Sequence, residues 1–150
     1  MQIGEFIDRI ELKEKLHLRE ERLSAIFSSS SEAICFCTLD GVLVDANDSY
    51  TKLTGYSKEE LLNRKKIQDL TPPEYYEFET KMTEKMIKTG EPAQFKKEYI
   101  RKNGSLVSVL LTVSLLKGVD GKPVGLGAII KDMSSVNQPE LKWPPLNKAS

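Results

Sequence analysis

The sequence predicts an α+β fold: a five-stranded antiparallel sheet whose helices are grouped together, preceded by an N-terminal amphipathic helix. Three observations carry this expectation. Asp40-Gly41, Asn103-Gly104 and Asp120-Gly121 each sit between apolar or alternating runs, the strongest short-range signal of a hairpin. A stretch with helical stop signals separates the second expected strand from the third. The N-terminal region mixes apolar residues with dense charge and holds no proline.

From Gly4 to about Phe27, Glu5/Arg9 and Glu11/Lys15 stand at i,i+4 spacing, as in an amphipathic helix. Within it Leu12, Leu16, Leu23 and Ile26 follow the steps of a heptad seam, interrupted by Arg19. Such a seam needs cover, either from a second copy in a homodimer or from the helix folding back on its own domain. The run Ser28 to Ser31 reads as a helix exit and turn. Strands are expected at about 33–38, 42–45, 94–101, 105–116 and 124–131. Between the second and third come a helix from Asp48 to Leu53 stopped at Gly55, and a short one opened by the capping box Ser57/Glu60. A longer helix from Pro73 to Lys88 then stops at Gly90. After Ser134 the character changes, because Pro139, Pro144 and Pro145 forbid a continuous helix, and Trp143 reads as a packing anchor. The expected organisation is therefore a helix at 1–27, a domain at 28–135 and a linker or tail at 136–150.

Lys+Arg and Asp+Glu both total 22, so the balance encodes no attraction to nucleic acid or to an anionic membrane. No apolar run approaches the roughly 20 residues needed to span a bilayer, and the N-terminus lacks a signal-peptide core. The chain reads as cytosolic. An enzyme is not expected: there is no Gly-rich phosphate loop, and the one histidine, His17, falls in the N-terminal helix as a solvated residue.

Cys35 and Cys37 are the only cysteines. In a strand they would point to one face with α-carbons roughly 6.6 to 7 Å apart, at the upper limit for a disulfide. A metal site is not expected either, since His17 lies in another segment and no second cysteine pair exists.

The segments LDGVLVDANDSYTKLTGYSKEELL (39–62) and YIRKNGSLVSVLLTVSLLKGVDGKPVGLGAIIKDMSS (99–135) resemble the PAS domains of bacterial and archaeal sensor kinases and related signalling proteins. The resemblance covers about Arg22 to Ser135. It implies the strand order 2-1-5-4-3 with helices on one face, and a sensory input module instead of a catalyst. It also implies that Cys35 and Cys37 face inward on the first strand, as walls of a ligand pocket. By the same carry-over the other inward positions are Tyr99; Val109, Leu111 and Val113; and Leu126, Ala128 and Ile130. Solid core and a ligand-holding cavity both satisfy this pattern. A ligand, if present, would be small and mostly apolar, since the only inward cation in view is Lys97, placed near the rim.

Flavin-binding light sensors of the family keep an Asn-Cys-Arg motif, and the matching stretch LLNRKKIQDL (61–70) has no cysteine, so no FMN adduct site is expected. Haem sensors use a histidine of the long helix, and PEYYEFETKMTEKMIKTG (73–90) has none. Thiolate ligation of haem by Cys35 or Cys37 stays open, as does FAD, though no inward Trp suits an isoalloxazine edge. The triplet Asp132-Met133-Ser134 resembles the family's Asp-Ile-Thr signal exit, where the Asp pairs with a basic group and the hydroxyl braces the junction. Three readings follow: a sensor whose output domain, kinase or cyclase, lies outside this chain; a ligand-free dimerisation or protein-interaction module; and a thiol redox sensor, which needs an exposed, low-pKa cysteine.

Overall fold

The computed structural model describes residues 2–134, with side chains from Leu12 onward. The expected tail, with its prolines and Trp143, lies outside the described residues, as do the side chains of Glu5, Arg9 and Glu11. Helix α1 (Gln2–Ser29) runs slightly past the expected span at both ends and belongs to a compact unit that closes at Ser30. Its seam residues Leu12, Leu16, Leu23 and Ile26 are 51–63% exposed.

The second unit begins at Ser31. It contains β1 (Ala33–Cys37), β2 (Leu43–Ala46), α2 (Asp48–Thr54), α3 (Lys58–Leu61), α4 (Tyr76–Thr89), β3 (Ala93–Ile100), β4 (Leu106–Lys117) and β5 (Pro123–Asp132). The five strands form one antiparallel sheet in the order β2-β1-β5-β4-β3. All three Asp/Asn-Gly pairs sit in the hairpin turns. Gly41, at φ +96°, occupies a conformation that a side chain would strain.

Two local departures from the expected elements have clear causes. The helix expected from Pro73 opens instead with a 3-10 turn, Pro73–Tyr75, and becomes α-helical only at Tyr76. Two successive prolines supply no backbone donors there, so the chain uses a tighter turn before the helix can propagate. A second 3-10 turn, Ile67–Leu70, is held by the Asp69 carboxylate, which accepts the Lys66 N–H at 2.9 Å. In β2 the pairing shifts register, with Phe36 opposite Asp45 but Cys37 opposite Leu43. Val44 is the extra residue, and this bulge turns both Leu43 and Ala46 into the core although they stand three apart.

Asn47 caps α2. Its Oδ1 accepts the N–H of Tyr50 at 3.0 Å and of Ile34 at 2.9 Å, while its Nδ2 donates to the Glu32 carbonyl at 3.0 Å. One buried side chain thus ties the start of a helix to the first strand. The capping box at Ser57 and Glu60 opens α3, and left-handed glycines, Gly55 and Gly90, close α2 and α4. Alternation along β1 (Ala33, Cys35, Cys37), β3 (Phe95, Tyr99) and β4 (Val107 to Val113) sends one face of the sheet into the core, where Tyr50, Leu61, Leu70 and Met86 meet it.

Candidate ligand-binding site

The inner face of β1, β3, β4 and β5 does not pack flush against α4. A cavity of about 540 Å³ remains between them, bordered also by Leu39 to Gly41 and by Ile67 and Gln68. Cys35, Cys37, Phe95, Tyr99, Leu111, Val113, Leu126 and Ala128 supply the sheet wall. Met82 and Met86 form the apolar part of the helix wall, with Glu79, Thr80 and Thr83 beside them. Of the residues expected to face a pocket, Val109 and Ile130 are not on this wall. Val109 is fully buried in the core, and Ile130, also buried, borders a second cleft with Lys52, Arg101 and Asp132.

Behind the cavity sits a buried polar cluster. Lys97 is 1% exposed, far inside the rim position expected for it. It occupies the same inward register as Phe95 and Tyr99, and its three donors are used. Nζ donates to the Glu79 carboxylate at 2.5 Å and to Thr71 Oγ1 at 2.9 Å, and it stands 4.8 Å over the Tyr99 ring. Burial lowers the Lys97 pKa, and the adjacent Glu79 opposes that shift. The Glu79 side chain, 17% exposed, reaches the cavity wall from α4. Glu79, Thr71 and Lys97 were not singled out from sequence as a group, because they come from three elements that only the fold brings together.

Next to this pair, the hydroxyls of Tyr50 and Tyr99 are 3.3 Å apart, with their rings edge to face at 5.9 Å. Both cysteines are free and buried. Desolvation pushes the Cys37 thiol up to about 11 and Cys35 higher still, while Tyr50 and Tyr99 are raised well above the usual phenol value. Inert, protonated thiols are poor redox triggers, so the geometry favours wall over switch. Among the described residues no group of three His, Cys, Asp or Glu side chains is placed to hold a metal ion.

Residues 31–135 match the family model for the PAS domain. The chain belongs to the PAS family. Among solved structures, the PAS domain is similar to the PAS domain of a Colwellia psychrerythraea protein, at 23% identity and TM-score 0.70, covering 77% of this chain and 96% of that one. It is similar also to the Rhodobacter sphaeroides LOV protein, at 18% identity and TM-score 0.67, covering 81% and 70% of the two chains. These likenesses speak for the fold. Curated relatives are signalling proteins: the hybrid signal transduction protein dokA of Dictyostelium discoideum, 29% identical over 81% of this chain, and the probable diguanylate cyclase DgcE of Escherichia coli, 34% identical over 67%. The sensor histidine kinase TmoS of Ectopseudomonas mendocina is 25% identical over 79%. The chain spans only 7–12% of the length of these three relatives. No helix among the described residues is long and apolar enough to cross a membrane.

The two ends of the PAS domain lie side by side. Ala33, at the start of β1, pairs with Ile130 near the end of β5. At the exit, Asp132 accepts the Ser134 N–H at 2.8 Å, and the Met133 N–H reaches the Ser108 carbonyl at 2.9 Å. Asp132 therefore closes a turn on its own backbone, and no ion pair joins it among the described residues. The PAS domain's exit is fixed by local hydrogen bonds where the resemblance implied a basic partner.

Proposed function

We propose that this PAS domain is the sensory input module of a larger signalling protein, binding a small, mostly apolar ligand in the cavity between α4 and the sheet. The single observation that supports this most is the cavity itself: about 540 Å³ with a sheet wall mainly of apolar and thiol side chains, a size suited to a small molecule. Two wall residues, Leu126 and Ala128, are on β5, the strand that leads to Asp132 and pairs with the entry strand β1. A ligand pressing on β5 would act on both flanking segments. The output would be a kinase or cyclase domain, as the names of the relatives imply, outside this chain. Native mass spectrometry with an absorption spectrum of freshly purified protein tests the reading. A bound mass released on denaturation is the expected result, and a bare polypeptide that takes up no apolar probe would count against it.

A second reading, a constitutive homodimerisation module, is favoured by one observation: the 51–63% exposure of the α1 seam Leu12, Leu16, Leu23 and Ile26. It predicts that removing residues 1–21 yields a monomer in sedimentation. An unchanged dimer would move the interface away from α1.

A further inference from the structure

At the back of the cavity two buried phenols, Tyr50 and Tyr99, are joined by one hydrogen bond between their hydroxyls. The two oxygens lie 3.3 Å apart, with the Tyr50 hydroxyl as the donor. With Tyr50 as the donor, the Tyr99 proton has no acceptor among the described residues. Among the described residues the Tyr99 side chain makes no other hydrogen bond, and it lines the cavity while fully buried. A buried donor without an acceptor is costly, and a phenol is a far better donor than a thiol.

The remaining walls narrow the partner's charge. Among the described residues no Lys or Arg lines the cavity, and Lys97 behind it is committed to Glu79 and Thr71. The charged groups on the wall are the carboxylates of Asp40, Glu79 and Glu84, of which Asp40 and Glu84 are exposed at the mouth. An anion would be repelled on entry and would find no free cation inside. Resting on the cavity-binding reading above, we propose that the cavity selects a neutral, largely apolar molecule bearing a carbonyl-type acceptor, which takes the hydrogen bond of the Tyr99 hydroxyl. Binding leaves the Tyr50 hydroxyl on the Tyr99 oxygen and gives the Tyr99 proton the ligand as its acceptor, so that both phenols are satisfied at once.

Three shape-matched probes test this on the full chain by equilibrium dialysis: 2-acetylnaphthalene, the hydrocarbon 2-ethylnaphthalene, and the anion 2-naphthoate. The ketone is expected to bind about tenfold more tightly than the hydrocarbon, equivalent to roughly 1.4 kcal/mol and within reach of one net hydrogen bond. In Tyr99→Phe the two should bind equally, and naphthoate should bind most weakly to both proteins. Equal binding of ketone and hydrocarbon to the wild type, a preference that survives Tyr99→Phe, or naphthoate binding as well as the ketone would each overturn the proposal while leaving the cavity reading intact. Failure of all three probes to bind would overturn the cavity reading and this inference with it. Should Tyr99→Phe not fold, the carbonyl stretch of the ketone bound to wild type decides: a shift to lower wavenumber than in heptane supports the contact, and an unshifted band overturns it.

Discussion

Lys97 gives up its water shell for a carboxylate, a hydroxyl and the face of a ring, an exchange that holds only while all of them are present. Removing one partner of a buried pair strands the other, at a cost of about 3–5 kcal/mol. The two partners are not equivalent here. Glu79 is 17% exposed through the cavity, whereas the Lys97 side chain is fully buried, so Glu79 can be rehydrated and Lys97 cannot. Glu79→Gln should therefore cost about 3 kcal/mol or more in urea unfolding, and Lys97→Met clearly less; the reverse order would refute the assignment. The thiols add a pH dependence whose sign is fixed by burial. The unfolded chain loses the Cys37 proton near the ordinary value of 9.0, the folded chain only at about 11, so stability is full below pH 9 and falls as pH rises toward 11. Tyr50 and Tyr99 act in the same direction at higher pH, and Lys97, with its lowered pKa, in the opposite one. Unfolding midpoints between pH 8 and 11 should decline, and less steeply in Cys37→Ala. The inward place of the cysteines and Tyr99 was implied by the resemblance to the PAS family. The depth of Lys97 was not legible, because a lysine on an apolar register reads as a rim residue until its carboxylate, eighteen positions away on another element, is in view.

The close contact between β1 and β5 depends on a residue with no side chain. A Cβ at Gly125 would lie 2.6 Å from the Cys37 carbonyl oxygen, a backbone atom that cannot move without moving β1. Gly125→Ala should accordingly shift the strands apart at their turn end, lowering the thermal midpoint and loosening the Cys37 wall of the cavity. Comparable stability of Gly125→Ala and wild type would show that the strands can slide at no cost. Glycines within a strand pattern signal such approaches, and "VGLGAII" carried that signal in the sequence. The hairpins, the capping box and the helix stops were likewise legible, since each rests on local turn chemistry. The bulge at Val44 was not, because it exists only in the pairing of β2 with β1. The 3-10 opening of α4 was half legible: two prolines announce a helix start but not which kind of turn begins it.

At the scale of the whole domain, the cavity, entry and exit share one strand pair. Ala128 on the cavity wall pairs with Cys35, also on the wall, and Ile130, two residues on, pairs with Ala33 at the entry. At roughly 3.3 Å per residue, about 13 Å of β5 separates Ala128 from Asp132. The entry is pinned by Asn47, which holds Ile34 and the Glu32 carbonyl, and the exit by Asp132, which holds Ser134. A displacement of β5 at the cavity can be absorbed by the strand or passed to its ends, and these pins decide which. On the proposed sensory reading, the turn should move with the strand while Asp132 is intact. In Asp132→Ala the Ser134 amide loses its acceptor, so the chain beyond can stay in place while β5 shifts. The expected outcome is that 2-acetylnaphthalene changes amide hydrogen exchange both in the cavity strands and in the residues flanking 132–134 of the wild type, but only in the cavity strands of Asp132→Ala. Equal changes beyond residue 134 in both proteins would place the coupling elsewhere, with the entry at Glu32 and Asn47 the next segment to test. Because the Asp132 contact is exposed and local, its loss should leave the domain's unfolding midpoint nearly unchanged, which separates lost coupling from lost structure.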